Sequence, residues 1–270
     1  ALERDRDGRR VHARLPEVLT VSRPATGRRI DIRRGLTFGR GVPVVPYSSR
    51  LLLGFLADRD IGLVSGNVAV WGDVAGSNDL VQAALANQPP YSAANPAFSN
   101  RPAVGPGNGT TQFMRTSGNV DLTAQTDITH ALVFRYGGIG LIYDAGAVGA
   151  FGGFFVNSSG ANVLLRFLAT AGAQQAFFAA TVGTVYRLIY VLHVNSGTTY
   201  PTLYINGVAG TPGGTSDRGF SAPRTHTLLA RQDVAGAWSD STVAASLIYG
   251  GALTAPEIVA LDAWLQANFT

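Results

Sequence analysis

Apolar and polar residues alternate with a period of two through much of this chain, which is the pattern of half-buried strands. The sharpest case is Thr202-Leu203-Tyr204-Ile205-Asn206-Gly207-Val208, where the alternation runs into an Asn-Gly pair. Both residues tolerate positive φ, so the segment predicts a hairpin with a type I′ turn. Upstream, the run Val185 to Val194 is apolar on both faces, the signature of a central strand covered on two sides. Further strands are predicted at Val68 to Trp71, Leu80 to Leu85, Thr111 to Arg115, Ile128 to Tyr136, Leu141 to Tyr143, Gly153 to Asn157, Val163 to Leu168, Gln175 to Ala180, Thr225 to Ala230 and Val243 to Tyr249. Glycine-rich joints separate nearly all of them.

The period changes only at the end of the chain. Thr254-Ala255-Pro256-Glu257 reads as a capping box with proline in the first turn, and Ile258, Leu261, Trp264 and Leu265 fall on one helical face. A helix from Pro256 to Asn268 is expected, placed as a lid over a sheet edge. Many short strands, no βαβ alternation and one closing helix together predict an all-β fold: a two-sheet antiparallel jelly-roll sandwich, with an extended N-terminal arm.

Composition narrows the chemistry. The chain has 270 residues, 46% hydrophobic and 14% charged, with 33 glycines and no cysteine, so disulfides, thiolate catalysis and Cys-based zinc sites are excluded. There is no apolar run long enough for a transmembrane helix, and the charged N-terminus is not that of a retained signal peptide. All 21 basic residues are arginine. Residues 1–50 hold 12 arginines against 5 acidic residues, whereas residues 51–270 hold 9 against 12. The organisation expected is therefore a basic arm over 1–50, a linker or first-contact segment over 51–60, and the sandwich over 61–270. In the arm, Arg28, Arg29, Arg33 and Arg34 flank a short Ile30-Asp31-Ile32 piece, and their guanidinium forks suit a carboxylate-rich protein surface. The interleaved acids Glu3, Asp5, Asp7, Glu17 and Asp31 argue against nucleic acid as the partner.

The block Val70-Trp71-Gly72-Asp73-Val74-Ala75-Gly76-Ser77-Asn78-Asp79-Leu80, followed by Gln88-Pro89-Pro90-Tyr91 and Asn100-Arg101-Pro102-Ala103-Val104, resembles the opening of concanavalin A-like (laminin G-like) jelly-roll domains. Leu203-Tyr204-Ile205-Asn206-Gly207 and Leu253-Thr254-Ala255-Pro256-Glu257-Ile258 are similar to that family's closing hairpin and terminal helix start. Where family members often carry Phe-Asp-Gly, this chain has Gly105-Pro106-Gly107. The resemblance implies one of two roles. The first is a non-enzymatic virion subunit of bacteriophage or phage-like type (decoration, fibre or tail-associated), held to other virion proteins by its arm and able to form homo-oligomers. The second is a lectin, extracellular or on the particle, that reads a cell-surface glycan.

Candidate chemistry is sparse. Retaining jelly-roll glucanases need two carboxylates about 5 Å apart, and the three glutamates here are Glu3 and Glu17 in the arm and Glu257 at the helix start. Asp58 and Asp60 have strand spacing but flank Arg59, which favours a turn with an ion pair. No Gly-x-Ser-x-Gly elbow is present. No metal site is predicted, and His130, His193 and His226 read as structural residues. Calcium is a conceivable loop ligand through Asp73, Asn78 and Asp79, although an Asx-turn loop accounts for the same residues. Trp238, on a loop, and Tyr91 are the aromatic residues suited to stacking a sugar, whereas Trp71, Tyr204 and Trp264 belong to apolar periods of the core.

Overall fold

The computed structural model describes residues 44–106, 111–145, 153–159, 162–169, 172–193, 202–210, 222–230 and 238–270. Arg28, Arg29, Arg33 and Arg34 lie outside the described residues. In chain order the strands are β1 (Leu51–Leu56), β2 (Ile61–Val64), β3 (Asn67–Trp71), β4 (Leu80–Val81), β5 (Tyr91–Asn95), β6 (Arg101–Val104), β7 (Met114–Thr116), β8 (Asp127–Arg135) and β9 (Ile139–Asp144). They continue with β10 (Gly153–Ser159), β11 (Asn162–Ala169), β12 (Gly172–Ala179), β13 (Val185–His193), β14 (Thr202–Ile205), β15 (Val208–Ala209), β16 (Thr227–Leu228) and β17 (Thr242–Gly250), and helix α1 (Ala255–Phe269) closes the chain.

Among the described residues the strands form two antiparallel sheets. Sheet I runs β15-β14-β13-β8-β17-β6-β5, with β1 also paired to β17, and sheet II runs β12-β11-β10-β9-β16-β7-β4-β3-β2. The two-sheet antiparallel sandwich with one C-terminal helix is thus the fold expected from the alternation.

Two cores explain the strand compositions. On β13, Tyr186, Leu188, Tyr190 and Leu192 face the inner core between the sheets, while Ile189 and Val191 face a second core under α1. On β8, Ile128, Leu132 and Phe134 point inward, and Ala131 and Val133 point to the helix side. Both central strands are therefore covered on two faces, which is why their sequences are apolar throughout.

The helix does not seal an edge as expected; it covers the outer face of sheet I. Ile258, Leu261, Leu265 and Phe269 pack there against Ala103, Ala131, Ala244 and Ala245, whose small side chains let the helix approach the sheet. The Glu257 carboxylate accepts from the Thr254 N–H at 2.7 Å and from its hydroxyl at 3.0 Å, as the capping box predicts. Arg50 then binds Glu257 at 3.1 Å and the carbonyl of Ala252 at 2.8 Å, tying the start of the described chain to the start of the helix.

The segment 51–60, expected as a linker or first contact, opens with a strand. β1 pairs with β17 from Leu51↔Tyr249 to Leu56↔Ala245, and Leu53 and Phe55 are inner-core residues. A Cβ on Gly54 would lie 2.8 Å from Val74, so this strand too is packed on both faces. Three expected strands are shorter than predicted, that at Thr111 to Arg115 being reduced to Met114–Thr116. After Leu80–Val81 the Gln82 side chain accepts the Ala84 N–H at 3.1 Å and diverts the backbone into a 3₁₀ turn at Leu85–Asn87. After Leu228 the backbone leaves the strand at Leu229, whose φ is 67°. The Asn206-Gly207 turn forms as expected, with φ of 51° and 81° at its two residues.

Candidate functional site

The outer face of sheet II presents an aromatic and basic patch. Met114 is buried in the inner core, so its neighbours Phe113 and Arg115 point to the opposite face by strand alternation. Trp238 stacks on Phe113 with ring centroids 5.5 Å apart and planes 27° from parallel. The Arg115 guanidinium carbon lies 5.4 Å from the Phe113 ring centroid, a cation–π distance. All three side chains are partly exposed.

Local structure holds both halves of the patch. The Phe113 N–H donates to the Asn87 carbonyl at 3.0 Å. The Ser239 N–H donates to the Leu229 carbonyl at 2.8 Å, and the Asp240 carboxylate accepts the Ile139 N–H at 3.2 Å. Gly140, with φ of 81°, lies so close beneath the Trp238 carbonyl that a Cβ would fall 1.6 Å from its oxygen. Only glycine lets the Trp238 segment settle there.

Arg115 also belongs to a cross-strand row that runs Val70, Val81, Arg115, Thr227, Asp144 from β3 to β9. Val81 is 37% exposed, whereas Thr227 is fully buried and Asp144 is 3% exposed. Within that row Arg115 is partly exposed, with its Nε buried.

Of the two residues the sequence assigns to sugar stacking, Trp238 lies at this patch and Tyr91 does not. Tyr91 is on β5 of sheet I, packs against the inner core and donates its hydroxyl to the Ala57 carbonyl at 3.1 Å. Burial, with the Asp58 charge second, raises its pKa. Phe113 and Arg115 were not singled out by sequence; the signal for them is the alternation around Met114, which puts both on one face.

The Asp58 and Asp73 carboxylates are committed to the scaffold. Asp58 lies 3.6 Å from Arg59, and burial raises its pKa against the opposing pull of that arginine. Asp60 sits at a left-handed φ of 50° and its carbonyl accepts the Gly72 N–H at 2.8 Å. In the loop considered for calcium, Asp73 accepts from the backbone N–H groups of Gly54 and Ala75, both at 2.9 Å, and Asn78 at 3.2 Å. That is an Asx-turn scaffold. Among the described residues no cluster of three His, Asp or Glu side chains is placed to hold a metal.

His130 and His226 lie in the inner core. His130 bonds the Tyr190 hydroxyl at 2.6 Å through Nδ1 and the Ser246 hydroxyl at 2.9 Å through Nε2. The Tyr143 hydroxyl bonds Nδ1 of His226, and the rings of His130 and Tyr143 are 4.4 Å apart. Burial holds His130 well below the usual histidine range and His226 down to about 3, and raises both tyrosines well above theirs. The cluster is a neutral polar network joining the two sheets.

No family model matches the chain, and no curated protein is similar to it at a significant level. Solved structures are similar in fold. The binding domain of botulinum neurotoxin serotype D aligns with a TM-score of 0.59 at 9% identity, over 80% of this chain and 51% of that one. A botulinum neurotoxin type C structure, described by the dependence of cell entry on two ganglioside molecules, aligns at 0.56 and 13% identity over 81% and 52%. A sialidase of Trypanosoma rangeli in complex with 2,3-difluorosialic acid aligns at 0.53 and 18% identity over 81% and 33%. This chain therefore corresponds to about half of the toxin domains and a third of the sialidase. At these identities the likeness establishes the class, a β-sandwich of the kind found in those domains.

Proposed function

We propose that this chain is a non-enzymatic binding module that recognises glycans through the patch of Phe113, Trp238 and Arg115. The observation that carries the reading is the Phe113–Trp238 stack, partly exposed on the face of sheet II that no helix covers among the described residues. Pyranose rings bind on such aromatic faces, and a nearby guanidinium supplies the polar contacts that fix orientation. The similar solved structures support binding over turnover. Several are binding domains of botulinum neurotoxins; one toxin structure is described with gangliosides and another in complex with rat synaptotagmin II. The virion role implied by the family resemblance gains no support from them.

The arginine-rich leader forms a second element of the proposal. Arg28, Arg29, Arg33 and Arg34 dock on an acidic protein surface and attach the module to a larger assembly, on the strength of the charge asymmetry alone.

A glycan array tests the principal reading. The intact chain should bind one glycan class, and Trp238→Ala should weaken that binding about tenfold or more, as loss of a stacked ring does at aromatic binding sites. An array on which no glycan binds would count against it.

A further inference from the structure

We infer that this protein forms a dimer by pairing β12 antiparallel with β12 of a second copy about a twofold axis. The observation that carries this is the state of the sheet edges. An edge strand presents a row of unpaired N–H and C=O groups that accepts another strand, and natural sheets blunt such edges with short strands, bulges, charges, proline or a covering loop. The other terminal strands each carry one of these devices. β15 is two residues long, and β2 is four residues long with a register shift between Gly62 and Leu63. β5 follows Pro90 and shifts register between Ser92 and Asn95. The open side of β1 is taken by the Asp73 loop: the Gly54 N–H donates to the Asp73 carboxylate at 2.9 Å, and the Gly54 carbonyl accepts the Val74 N–H at 2.8 Å.

β12 carries none of them. Its eight residues, Gly172–Ala179, include no charge and no proline. They pair with β11 in one unbroken register from Ala169↔Gly172 to Asn162↔Ala179. At about 3.4 Å per residue this is an edge of about 27 Å, and no strand among the described residues pairs with its other side. Two features choose a second copy as the occupant. A segment without charge meets no repulsion when it faces itself across a twofold axis, and identical antiparallel strands match by symmetry: where residue i faces j, j faces i. Sheet II also disfavours the open alternative. Pairing β12 of one copy with β2 of the next would repeat without closing, and the bulged, four-residue β2 is a poor template for an eight-residue strand. β12 on β12 uses up both open edges and stops at two copies.

Sedimentation velocity on the full chain tests this, independently of any glycan. One strand pair is a small interface, so a reversible monomer–dimer equilibrium with a Kd of about 1–100 µM is expected over loadings from about 1 to about 300 µM. Full overlap of the two strands puts the axis at the middle of β12, beside Gln175. Gln175→Lys places like charges there and should weaken the dimer about tenfold or more, as should Gln175→Glu; an equimolar mixture of the two variants should recover it, because the facing charges are then opposite. Amide hydrogen exchange on the unaltered chain serves should a variant fail to fold: protection across residues 172–179 should rise with protein concentration. A monomer at every loading would leave the edge to a strand of another protein and overturn the inference. So would a dimer that neither substitution weakens, or β12 amides whose exchange ignores concentration.

Discussion

At the scale of single residues, the inner-core histidines make the stability of this fold pH-dependent. His130 and His226 are held neutral in the folded chain, with pKa values far below the ordinary 6.5, that of His226 at about 3. In the unfolded chain both titrate near pH 6.5. Between those values the unfolded state binds more protons, so stability is complete above about pH 6.5 and falls as pH drops toward 3, by about 1.4 kcal/mol per pH unit for each histidine. Urea unfolding between pH 7.5 and 5 checks this in a window above ordinary carboxylate titration, and the midpoint should fall steadily below pH 6.5. A flat profile would mean that the histidines are not buried as neutral groups. Histidine in a β-strand is commonly structural, and these two were read so from sequence. What the sequence did not disclose is that β8 and β16, far apart in the chain, bring them into one network through Tyr143, because that meeting depends on how the sheets stack.

At the scale of elements, α1 is held to sheet I by one ion pair as well as by its apolar face. Arg187 on β13 forks onto Asp262 with bonds of 2.9 and 3.1 Å, and the two side chains are only 11% and 9% exposed. Removing one partner strands a buried charge, so Asp262→Ala or Arg187→Met should lower stability by about 3–5 kcal/mol, and the double substitution should recover much of the loss. Denaturant midpoints for the four chains of the cycle measure it. Most elements were legible from period and turn chemistry: the two-sided apolar pattern of β13, the Asn206-Gly207 turn and the Thr254–Glu257 capping box are each decided by neighbouring residues. The position of α1 was not, since the sequence shows that Ile258, Leu261 and Leu265 need a partner without saying which. The alanines at positions 131, 244 and 245 form the seat for it, and they come together only through the β8–β17 pairing. The same limit hid the aromatic patch: Trp238 stands out alone, but its stacking on Phe113 joins segments more than a hundred residues apart.

At the scale of the whole molecule, the start of the described chain and the Phe113–Trp238 patch belong to different sheets. The described chain begins on the helix side of sheet I, where Val45 and Tyr47 pack in the outer core and Arg50 clamps the helix start. The patch of Phe113, Arg115 and Trp238 lies on the outer face of sheet II, with both sheets between. Truncation after residue 43 should leave a chain that folds with an unchanged melting temperature, whereas truncation after residue 60 removes β1 and the Arg50 clamp and should leave a chain that does not fold. Circular dichroism on the two shortened chains distinguishes these outcomes.

The claim on which the account turns is that Trp238 touches the ligand. Trp71 is fully buried with its indole N–H bonded to the Leu56 carbonyl at 3.0 Å, and Trp264 packs against the helix-side core, so Trp238 is the tryptophan placed to report on a ligand at the patch. Titration of the tightest oligosaccharide into the intact chain, followed by tryptophan emission, should give a saturable change that Trp238→Phe abolishes while the melting temperature holds. A saturable change that persists unaltered in Trp238→Phe would place the ligand elsewhere and contradict the account.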